Sequence, residues 1–237
     1  MDEKINLLCA RGRGKSGYSV ILDTLEHDRT ILAYKGINDQ LRHDEIPYKK
    51  LKTKWFYFSS MMNESFHTME MLAEFAQNHG IKIAFNPSSY LVEKGKGYLK
   101  EIISRTELLV LNREEACLLV GQDKVQDVLL KLKSLGPRIV AVTDGKKDIS
   151  VLHEKTIYTA KPPAVKIVDS TGAGDAFASS FLSGILRNKG IEFAIKLGIV
   201  NSMSVIIHYG AKNILLKYND ALKEIRKLKV KIHKKRI

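Results

Sequence analysis

The chain has 237 residues, 44% of them hydrophobic, with a formal net charge of +13, enough apolar material for one sizeable core and a single domain over residues 1–237. No apolar run approaches the roughly 18 residues of a membrane span, and Met1-Asp2-Glu3-Lys4 lacks a signal peptide's basic and apolar regions, so a cytoplasmic protein without a membrane partner is expected. The two cysteines, Cys9 and Cys117, exclude a disulfide framework and zinc spacing, and Cys117, in an apolar helical stretch, reads as core.

In chain order, Gly12-Arg13-Gly14-Lys15-Ser16-Gly17 matches G-x-G-x-x-G and contains Gly-Lys-Ser. Its context excludes both nucleotide loops. A P-loop needs glycine where Cys9 stands, and a dinucleotide loop must open a helix, whereas Tyr18 to Leu22 reads as a strand. That strand and Thr30 to Tyr34 flank a polar turn at Glu26-His27-Asp28, a hairpin spanning about residues 17–36.

From Lys54 onward strand and helix patterns alternate. Lys54 to Phe58 reads as a strand, and Phe66, Met69, Ala73 and Ala76 mark a helix ending at Gly80. Ile81 to Phe85 is the next strand, closed by Asn86-Pro87-Ser88. Glu107 to Leu111 reads as a buried strand, followed by a short helix to Gly121. Val125, Val128, Leu129 and Leu132 mark a helix stopped by Gly136-Pro137, before a strand at Arg138 to Val142. Val151 to His153 and Thr156 to Tyr158 flank Glu154-Lys155 and read as a second small hairpin. This alternation predicts an α/β fold, a three-layer α/β/α arrangement on a mostly parallel sheet, with ligands at the carboxyl ends of the strands.

Val165 to Val168 reads as a strand and Ala176 onward as a helix, with Phe177, Phe181 and Ile185 on one face. Between them lies Asp169-Ser170-Thr171-Gly172-Ala173-Gly174-Asp175. Successive N–H groups of a Gly-Ala-Gly turn opening a helix point outward unpaired, and the helix dipole adds positive potential. The turn can hold the charge developing on a transferred phosphoryl group, and Asp175 can take the proton of an attacking hydroxyl. The plainer alternative is a helix cap and a tight turn.

Ile191 to Tyr209 forms a long helical pattern closed by Gly210-Ala211. Lys217 to Ile237 carries nine Lys/Arg against two Asp/Glu. Tyr218, Leu222, Ile225 and Leu228 give its start an amphipathic helical face, and residues 229–237 read as a solvated, partly frayed basic tail. No aromatic residue interleaves the charges after Tyr218, so no nucleic-acid partner is expected. The seven histidines show no ligand spacing.

The string Asp169 to Asp175 resembles the D-[ST]-T-G-A-G-D signature of the ribokinase-like (PfkB) carbohydrate and nucleoside kinase family. The resemblance implies a ribokinase-like fold and an ATP- and Mg2+-dependent phosphotransferase acting on a hydroxyl of a sugar, sugar phosphate or nucleoside. It assigns Asp175 as base and Gly172, Ala173 and Gly174 as the anion hole. Asn112-Arg113-Glu114-Glu115 looks like the family's N-x-x-E motif, in which Asn112 and Glu115 organise magnesium and phosphate largely through water. Magnesium keeps most of its water, so one amide and one carboxylate suffice; a helix N-cap with acidic first-turn residues explains the same string. Thr143-Asp144-Gly145 resembles the family's T-x-G at the nucleotide phosphates, which assigns Thr143 and Gly145, although a plain turn fits as well. Asn201 corresponds to an adenine neighbour.

The first hairpin corresponds to the family's lid over the acceptor, and Gly36-Ile37-Asn38 to the Gly-Ala-Asn after it, which makes Asn38 and Tyr18 acceptor candidates. The resemblance runs from about Gly17 to Leu216, without the acceptor-binding strand and Gly-Gly motif that members carry before it. An N-terminally incomplete kinase domain is therefore expected. The alternative is a non-catalytic or split-enzyme nucleotide-binding subunit, with a homodimer or a partner chain covering the missing part.

Overall fold

The computed structural model describes residues 14–23 and 29–237. These fall into two compact units, one comprising the described residues up to 56 together with 60–82, the other 57–59 and 83–237.

In the first unit, β1 (Tyr18–Asp23) and β2 (Arg29–Tyr34) form an antiparallel hairpin in which Tyr18 pairs with Tyr34. The expected turn at Glu26-His27-Asp28 lies outside the described residues, as do Cys9, Gly12 and Arg13. Three short 3-10 turns lead to β3 (Trp55–Phe58), whose first two residues belong to this unit, and to α1 (Asn63–Asn78). Helix α1 is fastened to the preceding segment by side-chain hydroxyls: Ser65 donates to the Asn38 carbonyl and Thr68 to the Leu41 carbonyl, each at 2.7 Å.

The second unit carries most of a seven-stranded sheet of order β3-β4-β5-β6-β7-β8-β9. Its elements are β4 (Lys82–Phe85), α2 (Ser89–Val92), α3 (Gly95–Ser104), β5 (Leu108–Asn112), α4 (Arg113–Val120), α5 (Val125–Ser134), β6 (Ile139–Thr143), β7 (Ile149–His153), β8 (Thr156–Ala160), α6 (Ala173–Leu186), α7 (Ile191–Ile206), α8 (Tyr218–Lys227) and β9 (Ile232–Arg236). Strands β4, β5 and β6 are parallel, and β7, β8 and β9 extend the sheet antiparallel. Leu108 to Leu111 and Ile139 to Val142 are buried without alternation, as central strands covered on both faces must be. Helix α5 packs on β6 and β7, while α6 meets β5 and α7 meets β7 and β8, giving the expected three layers. Among the described residues no helix is long and apolar enough to cross a membrane.

Several expectations are corrected. Residues 229–237 are not a frayed tail, because β9 pairs with β8 from Ile232 opposite Ala160 to Arg236 opposite Thr156. Lys234 reaches Glu192 at 2.6 Å and Lys235 reaches Gln126 at 2.9 Å. Lysine is depleted in strands generally, but an edge strand keeps its charged side chains in water. Val165 to Val168 forms no strand. The N–H groups of Val168 and Asp169 instead donate to the Ile206 carbonyl at the end of α7, at 2.8 and 3.2 Å. Helix α7 stops at Ile206 rather than Tyr209, and Cys117 is half-buried rather than core.

Candidate active site

The Asp169 to Asp175 loop is built around two close approaches. Asp169 Oδ1 accepts the Thr171 N–H at 2.8 Å, and Oδ2 accepts the Gly210 N–H at 3.1 Å. Gly172 adopts φ +80°, and a Cβ there would lie 2.1 Å from the Ala211 carbonyl oxygen, so only glycine admits this contact. The loop is thereby clasped to the Gly210-Ala211 turn, with α6 starting at Ala173. The Ala173 N–H makes a long bond of 3.3 Å to the Ser170 carbonyl. Those of Gly172, Gly174 and Asp175 find no acceptor among the described residues. Gly174 is open to solvent, with nothing near the place its Cβ would occupy. Asp175, in the first turn, is exposed, and its carboxylate accepts no hydrogen bond from a described residue. The arrangement is a helix N-terminus with an exposed carboxylate beside it, which can hold an anion.

The second component stands at the carboxyl ends of β5 and β6, where the parallel register sets Asn112 opposite Thr143. Asn112 and Glu115 form a reciprocal cap: Asn112 Oδ1 accepts the Glu115 N–H at 2.8 Å, and Glu115 Oε2 accepts the Asn112 N–H at 2.9 Å. The other oxygen, Oε1, accepts the Ser89 hydroxyl at 3.1 Å. Glu115 is 8% exposed, and burial pushes its carboxyl up, aided by the negative field of Asp175, while the Asn112 and Ser89 bonds oppose the shift. The cap and the ligand role are compatible, since a carboxylate oxygen with one donor retains a further lone pair.

Thr143 closes β6 and Gly145, at φ +53°, turns the chain, with the Lys147 N–H donating to the Asp144 carbonyl at 2.8 Å. Three residues absent from the sequence reading of the site belong beside it. The Tyr57 hydroxyl donates to Asn86 Oδ1 at 3.2 Å, and Asn86 Nδ2 donates to the Val110 carbonyl at 2.9 Å, which ties the ends of β3, β4 and β5 together. Burial, with a smaller push from Asp175, moves the Tyr57 phenol up to about 12, so it stays a neutral donor. The third is Ser89. The Asn86-Pro87 turn at a strand's carboxyl end was the signal available in the sequence.

A cavity of about 580 Å³ opens along α7 and α8, between an apolar side that includes Val165, Met203, Ile207 and Leu216 and a charged side on α8 with Asp220, Lys223 and Lys227. Asn201 fastens its wall rather than lining it: the buried Asn201 Oδ1 accepts the Leu216 N–H at 2.9 Å, and Ser204 donates to the Ile214 carbonyl. Of the remaining candidates, Tyr18 and Asn38 belong to the first unit. The Tyr18 ring lies 5.3 Å from that of Tyr34, and Asn38 Oδ1 accepts the Gly17 N–H at 3.2 Å.

No group of three or more His, Cys, Asp or Glu side chains among the described residues could hold a metal by itself. One carboxylate and one amide with adjoining solvent fit a magnesium ion that keeps most of its water.

The chain is similar to known proteins over most of its length. The family model described as "pfkB family carbohydrate kinase" matches residues 9–217. A protein of Archaeoglobus fulgidus named "Uncharacterized sugar kinase" is 30% identical over 208 residues, covering 85% of this chain and 81% of its own. A "Cytidine kinase" of Thermococcus kodakarensis is 31% identical, covering 74% of this chain and 63% of its own, so the chain spans under two thirds of that relative. The crystal structure of a ribokinase from Thermotoga maritima superposes with a TM-score of 0.78 at 20% identity, over 92% of this chain and 72% of that one.

Proposed function

From the premise that the chain belongs to the pfkB family of carbohydrate kinases, we propose that it transfers the γ-phosphoryl group of ATP to a hydroxyl of a sugar, sugar phosphate or nucleoside, with magnesium. The observation that carries this reading is the pairing of the helix-opening amides of Gly172, Gly174 and Asp175 with the unengaged carboxylate of Asp175, the Ala173 amide turning instead to the Ser170 carbonyl. In the proposed reaction Asp175 takes the proton of the acceptor hydroxyl. The acceptor oxygen bonds to phosphorus as the bond from phosphorus to the β–γ bridging oxygen breaks, and ADP leaves. The Gly172, Gly174 and Asp175 amides face the charge that grows on the transferring group. Asn112 and Glu115 would hold magnesium through its water, and Thr143 and Gly145 would adjoin the phosphates. Magnesium, when bound, supplies charge neutralisation between the phosphate oxygens. The apolar side of the cavity at Met203 and Ile207 would take the face of a nucleotide base, and Asn201 would act by keeping residues 214–216 in place.

The test is Asp175→Asn, assayed by ADP release with a panel of sugars, sugar phosphates and nucleosides, together with calorimetry of ATP binding. Turnover should fall by about 10²–10⁴-fold while nucleotide affinity stays within a few fold. Equal loss of binding and turnover would remove Asp175 from the role of base.

A further inference from the structure

The exposed Ser89 contributes nothing to the cap of its own short helix, since the N-cap residue of α2 is Ser88 and no side-chain cap bond forms there. Its hydroxyl instead donates 3.1 Å across to Glu115 Oε1, on an element 26 residues away. This is the only side-chain donor to Glu115 among the described residues, because the other bond to its carboxylate comes from the Asn112 backbone. A carboxylate fixed by Oε2 alone can still swing its second oxygen about that contact. With both oxygens tied the plane is fixed, and one lone pair of each oxygen points in a constant direction.

The segment that presents Ser89 is itself anchored. The Asn86 N–H donates to the Phe58 carbonyl at 2.9 Å, Asn86 Nδ2 to Val110, and Tyr57 to Asn86. Pro87, buried between them, stiffens the turn. Three strand ends thus deliver one hydroxyl to one carboxylate. The bonds that tie these strand ends together also fix where the Ser89 hydroxyl stands, as is required of a group that orients a water-mediated metal partner.

We propose that Ser89 is a positioning residue of the magnesium site, acting through Glu115 by holding its carboxylate plane toward the phosphates. This rests on the kinase reading above. Partners of this kind are typically worth about 10–100-fold in metal affinity, and a single neutral hydroxyl belongs at the lower end.

The experiment is calorimetric titration of ATP into the whole chain at a series of magnesium concentrations, for wild type, Ser89→Ala and Ser89→Thr. Ser89→Ala should need about 10-fold more magnesium to reach the same gain in ATP affinity, with ATP affinity in EDTA unchanged. Ser89→Thr, which keeps the hydroxyl, should restore most of the response. An unchanged magnesium response in Ser89→Ala, or a loss equally large in EDTA, overturns the proposal. ATP binding by wild type that ignores magnesium removes the metal assignment and the proposal with it. Absence of ATP binding by wild type would overturn the kinase reading itself, an outcome distinct from a failure of Ser89 alone.

Discussion

Asp169 accepts a hydrogen bond from the amide of Gly210, 41 residues further along the chain, at 3.1 Å. The bond fastens the Asp169 to Asp175 loop to the turn after α7, and the Gly172 contact with the Ala211 carbonyl lies within the same clasp. Gly172 and Gly174, two residues apart, therefore respond to alanine in opposite ways. Gly172→Ala places a Cβ 2.1 Å from a backbone oxygen at φ +80° and must force the turns apart. Its unfolding midpoint and ATP affinity should fall together, with a stability loss on the order of 2–4 kcal/mol. Gly174 is inside the first turn of α6 with open space around it, so alanine should leave stability equal or raise it by up to about 1 kcal/mol. The added methyl nevertheless crowds the anion cradle, so turnover should drop at least ~10-fold. Urea unfolding and ATP calorimetry on both variants check the contrast. A stable Gly174→Ala protein with full activity would remove the cradle from the mechanism.

Glu115 gives a pH dependence with a definite sign. Its carboxyl is raised mainly by burial, then opposed by the Asn112 and Ser89 bonds and assisted by Glu114 and Asp175. An acid whose folded pKa lies above its unfolded value binds its proton more tightly in the folded protein. Its ionisation therefore costs stability, fully above the folded pKa and not at all below the unfolded value near 4. Glu115→Gln removes that cost while keeping one acceptor oxygen for the cap. In the absence of magnesium the variant should have the higher urea midpoint at pH 7, and the difference should fade as the pH approaches about 4. The same substitution should blunt the magnesium dependence of ATP binding. A midpoint below wild type at pH 7 would mean that the hydrogen bonds to the carboxylate outweigh its burial.

What the sequence disclosed of this site follows from how local each feature is. The Asp169 to Asp175 string specifies its own turn and helix start, and Asn112 with Glu115 is a contiguous capping box, so both were legible. Their juxtaposition with Thr143 follows from the parallel register of β5 and β6, which alternation implies without fixing the pairing. Ser89 and Tyr57 left no local mark, and Asn86 only its turn at the end of β4, because each acts through a hydrogen bond across 24 to 29 positions. Composition misled in the two places where tertiary context overrode propensity. Val165 to Val168 has β-branched residues, but the amide of its last residue and that of the next, Asp169, both go to the Ile206 carbonyl. The lysine-rich C-terminus looked solvated, although an edge strand needs only one paired side.

That edge strand yields the last expectation. Strand β9 covers β8 along Thr156 to Ala160, and β8 in turn borders β7, whose residues Ile149 to Leu152 are buried. Truncation after Leu228 leaves α8 intact but turns β8 into an open edge with Ile157, Tyr158 and Thr159 along it, and it removes five basic residues. Both changes favour edge-to-edge pairing, since the lysines of β9 are a deterrent to added strands as well as part of the sheet. The truncated chain should show a lower melting temperature and concentration-dependent association by light scattering. Replacing Lys234 and Lys235, the two lysines of β9, by threonine keeps a strand-forming sequence and separates the two effects: the melting temperature should stay near wild type while association rises. If instead truncation leaves the protein equally stable and monodisperse, β9 adds charge and nothing to the sheet.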